Sequence, residues 1–185
     1  MKRYLLILVS ALALTACADM SSSNGNYSSL PTWEDAATNK LTPQNHQAAD
    51  KLIEQAKLRL ETGRPLIVAT LVNINALEES SPLGRMIAEQ VSGQFSRHGF
   101  EMIEMKFRNN VYVKQNVGEL MLTREIRQLA QNHNAQAVVV GTYTESSQLV
   151  FINLKVIRPT DNIVIAAHDY VIPMDKVVRS LLGRR

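Results

Sequence analysis

A chain of 185 residues with 45% hydrophobic and 20% charged side chains is sized for one domain and can bury a core, which excludes wholesale disorder. The formal charge of +3 overstates its basicity, because Lys2 and Arg3 fall in a segment expected to be removed; 18 basic residues then face 17 acidic ones, a net of +1. Without Lys/Arg blocks or interleaved aromatics, that balance excludes the concentrated positive charge a nucleic-acid partner requires. A single cysteine excludes an intramolecular disulfide, so the fold must rest on its core.

Lys2 and Arg3 precede an apolar run, Tyr4 to Leu14, that is interrupted only by Ser10 and is too short to span a bilayer. Leu14-Thr15-Ala16-Cys17 resembles the bacterial lipobox. The resemblance implies cleavage between Ala16 and Cys17, S-diacylglycerol on the Cys17 sulfur and an N-palmitoyl group on the new terminus. One acyl chain binds a membrane marginally, whereas two or more anchor stably. Ala18 stands where Asp would retain the protein in the inner membrane, so a periplasm-facing anchor in the outer membrane is expected. The chain divides into a signal peptide (1–16), the lipidated cysteine with a flexible tether (17–40), and an α/β domain (41–185). The tether follows from the Ser, Asn and Thr that dominate Asp19 to Asn39. Trp33 departs from that composition, and either caps the domain's edge or meets a partner.

Thr42-Pro43 reads as a helix start, and Ala49, Leu52, Ile53, Ala56 and Leu60 carry helical spacing up to Gly63 and Pro65. Leu66 to Val72 is a β-branched apolar run expected to form a strand covered on both faces. Ser81-Pro82 opens a second helix that buries Ile87, Val91 and Phe95 and is closed by Gly99. Phe100 to Met105 reads as a strand, Asn109 to Val117 as irregular, and Leu122, Ile126, Leu129 and Ala130 as a third helix reaching about Asn134. Ala137 to Tyr143 is a third strand. Leu149–Arg158 and Ile163–Ile172, linked by short polar turns, form antiparallel hairpins, and a short helix near Asp175 to Leu182 ends the chain. The order implies an α/β fold with a mixed sheet of about five strands. Three would be parallel, joined by helical crossovers, followed by an antiparallel C-terminal meander, with helices packed on the sheet.

The chemistry-bearing residues do not converge. There is no G-x-S-x-G, the only cysteine is committed to lipid, and His46, His98, His133 and His168 lack metal-ligand spacing. Gly84, Gly93 and Gly99 match no phosphate-binding pattern, and the Glu78-Glu79 pair reads as solvated. No catalytic residue, metal site or cofactor is therefore expected, and the chain is not expected to be an enzyme. One segment resembles a ligand site: Ser80-Ser81-Pro82-Leu83-Gly84-Arg85 places a helix N-terminus after the first parallel strand, where α/β sheets bind ligands. Ser81 and Arg85 could hold an anion or partner group there, although capping alone accounts for Ser81 and Pro82.

Leu71-Val72-Asn73-Ile74-Asn75, the Ser80 to Arg85 segment, Gly118-Glu119-Leu120-Met121-Leu122-Thr123-Arg124-Glu125 and Val140-Gly141-Thr142-Tyr143 occur in that order. With the two terminal strands they resemble the FlgO family over roughly Leu41 to Pro173. The resemblance implies an outer-membrane lipoprotein with a structural role in flagellar motility, partnered by basal-body or outer-membrane ring proteins. The alternative is a periplasmic ligand-binding lipoprotein that uses the Ser81 to Arg85 helix start.

Overall fold

A computed structural model describes residues 30–77, 80–103, 113–116, 119–122 and 124–183, with only the backbone described at 113–122. The elements are α1 (Trp33–Thr38), α2 (Leu41–Ala56), β1 (Leu66–Val68), β2 (Val72–Asn73), α3 (Pro82–Arg97), β3 (Met102–Ile103), β4 (Val113–Asn116), β5 (Glu119–Leu122), α4 (Arg124–Asn132), β6 (Ala137–Glu145), β7 (Leu149–Arg158), β8 (Ile163–Pro173) and α5 (Lys176–Leu181). The main sheet is mixed, in the order β3-β1-β6-β7-β8, with β2 also paired to β6. Pairings of β1 with β3 and β6 are parallel, and those of β6 with β7 and β7 with β8 are antiparallel. The expected architecture is present, with six strands because the run from Leu66 is divided in two.

That division is a bulge. Val68 pairs with Val139 and Val72 with Thr142, so four steps on one strand face three on the other. The extra residue lets Leu71 turn inward until it is buried. Two glycines make room: a Cβ on Gly141 would lie 2.8 Å from Leu71 Cγ, and one on Gly84 would lie 2.2 Å from the Leu71 carbonyl oxygen. The absent side chains let α3 and β6 close over the bulge, and the Leu71 amide donates to the Gly84 carbonyl.

Alternation along the strands sorts the core onto two faces. Leu66, Ala137, Val139, Leu154 and Val156 face α2, α3 and α5, while Ile67, Val138, Val140 and Ile157 face Ile126 and Ala130 of α4. The ends of α3 follow its sequence signals. Ser81 Oγ accepts the Gly84 amide at 3.2 Å, and Gly99, at φ +83°, forms the left-handed stop. The Phe100 and Gly99 amides then reach back to the Phe95 and Ser96 carbonyls, a Schellman closure sealed by the Phe95 and Phe100 rings 5.8 Å apart. Asp175 caps α5 through the Val178 amide at 2.9 Å.

Five expectations need correction. α2 begins at Leu41 rather than behind a Thr42 cap: Asn39 Oδ1 accepts the Leu41 amide at 2.7 Å, and the Thr42 hydroxyl instead accepts from Gln90. The same helix ends at Ala56, well before Gly63. Asn116 pairs with Glu119 in an antiparallel hairpin where an irregular stretch was expected, and Leu122 ends β5 instead of starting a helix. Finally, the proposed tether runs into α1, whose Thr32 and Asp35 exchange hydrogen bonds in a capping box. Asn39 donates to Asp175 at 2.5 Å and Lys176 lies 3.7 Å from Asp35, so α1 is fastened to α5.

One polar chain runs through the helix-side core. The Tyr170 hydroxyl donates to Asn45 Oδ1, Asn45 Nδ2 donates to Gln90 Oε1 at 2.6 Å, and Gln90 Nε2 donates to Thr42 Oγ1 at 2.8 Å. Burial pushes the Tyr170 pKa upward, which keeps the hydroxyl protonated as a donor. Tyr170→Phe leaves the fully buried Asn45 with an unpaired acceptor, and should lower stability by about 1–3 kcal/mol in a urea melt.

Candidate functional site

Ser81, His46 and His98 take ordinary structural roles. Ser81 is spent as the α3 cap, and Ser80 Oγ donates to the Leu71 carbonyl at 3.3 Å. The Arg85 amide completes the first helical turn on the Ser81 carbonyl, while its guanidinium is exposed. The two residues therefore share a helix start, with the Ser81 hydroxyl engaged in the cap and the Arg85 guanidinium open to solvent. Ala16, Cys17, Glu78 and Glu79 lie outside the described residues.

Folding does assemble one cluster that sequence spacing hides. Asp50 of α2 accepts from Gln94 Nε2 at 2.7 Å and pairs with His98 Nε2 at 2.8 Å, both at the end of α3, and His46 Nε2 lies 3.3 Å from Arg97. The Gln94 hydrogen bond, then the His98 partner, hold the Asp50 pKa below its ordinary value. This is a half-exposed fastening between two helices. Among the described residues no three His, Cys, Asp or Glu side chains gather as a metal site, and no helix is long and apolar enough to cross a membrane.

The stronger candidate is a sheet face. α4 covers the second face of the sheet at Ile67, Val138 and Val140, but further along, the outward side chains of β7 and β8 meet solvent, while Thr142 of β6 stays buried beside them. Register aligns them in rows across three strands: Thr144, Phe151 and Val171 in one, and Thr142, Asn153 and Asp169 in the next. Phe151 is 46% exposed, Val171 39%, and Ile74 beside them 47%. Asn153 Nδ2 donates to Asp169 Oδ1, bracing the polar row. These side chains border a shallow cavity of about 350 Å³. It opens beside the end of β2 and the C-terminal half of β6, where the Ile74 amide donates to the Tyr143 carbonyl at 2.9 Å. An apolar row flanked by a braced polar one suits a protein surface or a small amphipathic ligand, and it supplies no nucleophile paired with a base. The outward apolar residues of β7 carried the signal: Leu149 to Lys155 alternates, with Leu149 and Phe151 on the same side as Asn153 and Lys155.

The family model described as FlgO protein matches residues 46–177, and that of the prokaryotic membrane lipoprotein lipid attachment site matches residues 1–18. No curated protein matches the chain. Among solved structures, the C-terminal domain of LpoB from Salmonella enterica is similar at 12% identity, with a TM-score of 0.49, over 69% of this chain and 93% of that one. A PelC dodecamer from Paraburkholderia phytofirmans is similar at 13% identity and TM-score 0.41, over 63% and 76%. The lipoprotein GNA1162 from Neisseria meningitidis is similar at 14% identity and TM-score 0.39, over 60% and 82%.

Proposed function

Because the chain belongs to the FlgO protein family and carries a lipoprotein attachment site, we propose that this envelope lipoprotein is a structural component of flagellar motility, held in the outer membrane and braced against the basal body or its outer-membrane ring. The single observation that carries this reading is the match over residues 46–177 joined to a lipid attachment site at the other end of the same chain. The exposed row of Ile74, Phe151 and Val171 supplies the kind of surface a ring protein would cover. In this reading the domain has no catalytic work. Lipid limits it to two dimensions, and the sheet face holds the partner.

Deletion of the gene should impair swimming while growth continues, with fewer retained filaments or incomplete outer-membrane rings. Motility-agar diameters and electron microscopy of basal bodies check this. Normal swimming with intact rings, in a strain that expresses the gene, would remove the flagellar reading and leave the lipoprotein. The 350 Å³ cavity favours a second reading, a ligand-binding lipoprotein. That role gives a nutrient or cell-wall stress phenotype with normal motility.

A further inference from the structure

Trp33 is the single tryptophan of the chain and is 86% exposed, at the start of α1. An indole is costly to leave in water, and tryptophan is a residue that settles where an apolar environment meets a wet one. Leu30, three residues earlier, is 52% exposed. Neither serves the core, yet the corner that carries them is built firmly. The Thr32–Asp35 capping box fixes the first turn of α1, and Asn39–Asp175 and Asp35–Lys176 fasten that helix to α5. A fastened helix therefore presents two apolar side chains outward.

The position of this corner along the chain identifies what meets it. The lipid attachment site ends at residue 18, and Leu30 follows Cys17 by thirteen positions. At about 3.3–3.6 Å per residue, Leu30 stays within roughly 45 Å of the acylated sulfur however the intervening chain runs. Any surface so tethered faces its own leaflet at an effective concentration on the order of millimolar, so a weak contact suffices. The charges around the corner cancel: Glu34, Asp35 and Asp175 stand against Lys40, Lys176 and Arg179. A nucleic acid or an acidic partner has nothing to recognise there, whereas the headgroup boundary of a bilayer accepts an indole without requiring net charge.

We propose that Leu30 and Trp33 form a second, peripheral membrane contact, inserted in the headgroup region of the leaflet that holds the Cys17 lipid. The domain is then seated against the bilayer by α1 instead of hanging from its acyl chains, which fixes its orientation. This contact rests on the lipid attachment site and the α1 geometry, and it stands whether or not the flagellar reading does.

Trp33 is its own probe, since no other indole contributes to the fluorescence. The lipidated mature chain is reconstituted in vesicles of phosphatidylethanolamine and phosphatidylglycerol, with and without acyl chains brominated near the headgroup. The Cys17→Ser chain in buffer is the exposed reference. The expected result is a blue-shifted emission, quenched by the brominated lipid, protected from acrylamide, and unchanged at ~1 M salt, where the screening length falls to about 3 Å. Leu30→Asp should reduce the lipid quenching while leaving the thermal melt unaltered, because Leu30 packs on nothing in the core. Trp33 emission that the brominated lipid does not quench overturns the proposal. That holds whether the indole stays open to acrylamide or is shielded from it by a second copy or another protein. Loss of the lipid quenching in salt overturns it as well, since charge and not the indole would then hold the corner.

Discussion

Val139→Asp should leave a chain with no cooperative unfolding transition. Val139 is fully buried in β6, paired with Val68 of β1 on one side and Val156 of β7 on the other, and it belongs to the cluster beneath α2 and α3. A carboxylate there loses its water and gains no cation, which costs several kcal/mol even if the group takes up a proton and buries a neutral acid. Domains of this size are stable by about 5–15 kcal/mol in all, so one such change removes most or all of the margin. The conservative partner experiment is Val139→Thr, which keeps the branched shape and adds one hydroxyl. It should retain a cooperative melt, lowered by about 1–3 kcal/mol. Circular dichroism against temperature distinguishes the two. A Val139→Asp melt close to the parent's would show that β6 is not the buried centre of the sheet.

The reasons β6 could be read from sequence also mark where such reading stops. Ala137 to Tyr143, and the two long strands after it, announce themselves because burial imposes their composition along the strand itself. The ends of α3 were equally legible, since Ser81, Pro82 and Gly99 act on amides and carbonyls within one turn. The β4–β5 hairpin was not. Lys114, Gln115 and Asn116 carry no apolar alternation that would mark a strand, although their backbone pairs with that of Glu119 to Met121. The break between β1 and β2 was hidden for a different reason. It depends on Leu71 meeting Gly84 and Gly141, which are 13 and 70 positions away and become neighbours only when α3 and β6 pack. The candidate surface shares that property. Thr144, Phe151 and Val171 form a row through strand register, and whether α4 reaches them is a matter of its length and placement.

Cys17→Ser should release the protein from the membrane fraction while leaving the folded domain intact. Each buried methylene of an acyl chain contributes about 0.8 kcal/mol, so removing the acyl chains removes far more binding than the Trp33 corner can supply. The domain, by contrast, is expected to fold without this cysteine. No disulfide is available to it, and among the described residues the buried cluster runs from Leu41 to Val178, a core that α2, α3, α5 and the sheet complete with one another. Palmitate labelling should disappear, the protein should move to the soluble periplasmic pool, and its melting temperature should match that of the wild-type mature chain. Under the motility reading, a strain carrying Cys17→Ser should swim nearly as poorly as the deletion, because a brace that is not attached bears no load. A membrane-bound pool of normal size in the variant would show that acylation is not what holds the protein at the membrane.

The outer edge of the sheet carries a consequence for a protein concentrated on a surface. β8 is the terminal strand, eleven residues long, and α2 and the turn that follows it reach over to occupy it: Gln55 Oε1 accepts the Ala167 amide at 3.2 Å, and Arg59, just past the helix, donates to the Ile165 carbonyl at 3.0 Å. A long open edge on lipid-held copies, all lying at one height and diffusing in one plane, would be a template for strand-to-strand accretion. Two side chains, one from α2 and one from the turn after it, deny the start of that edge to another copy, and Pro173, which has no amide hydrogen, ends it. Crowding along a leaflet can therefore raise the encounter rate of these molecules without knitting them into a shared sheet, and assembly is left to the faces of the domain.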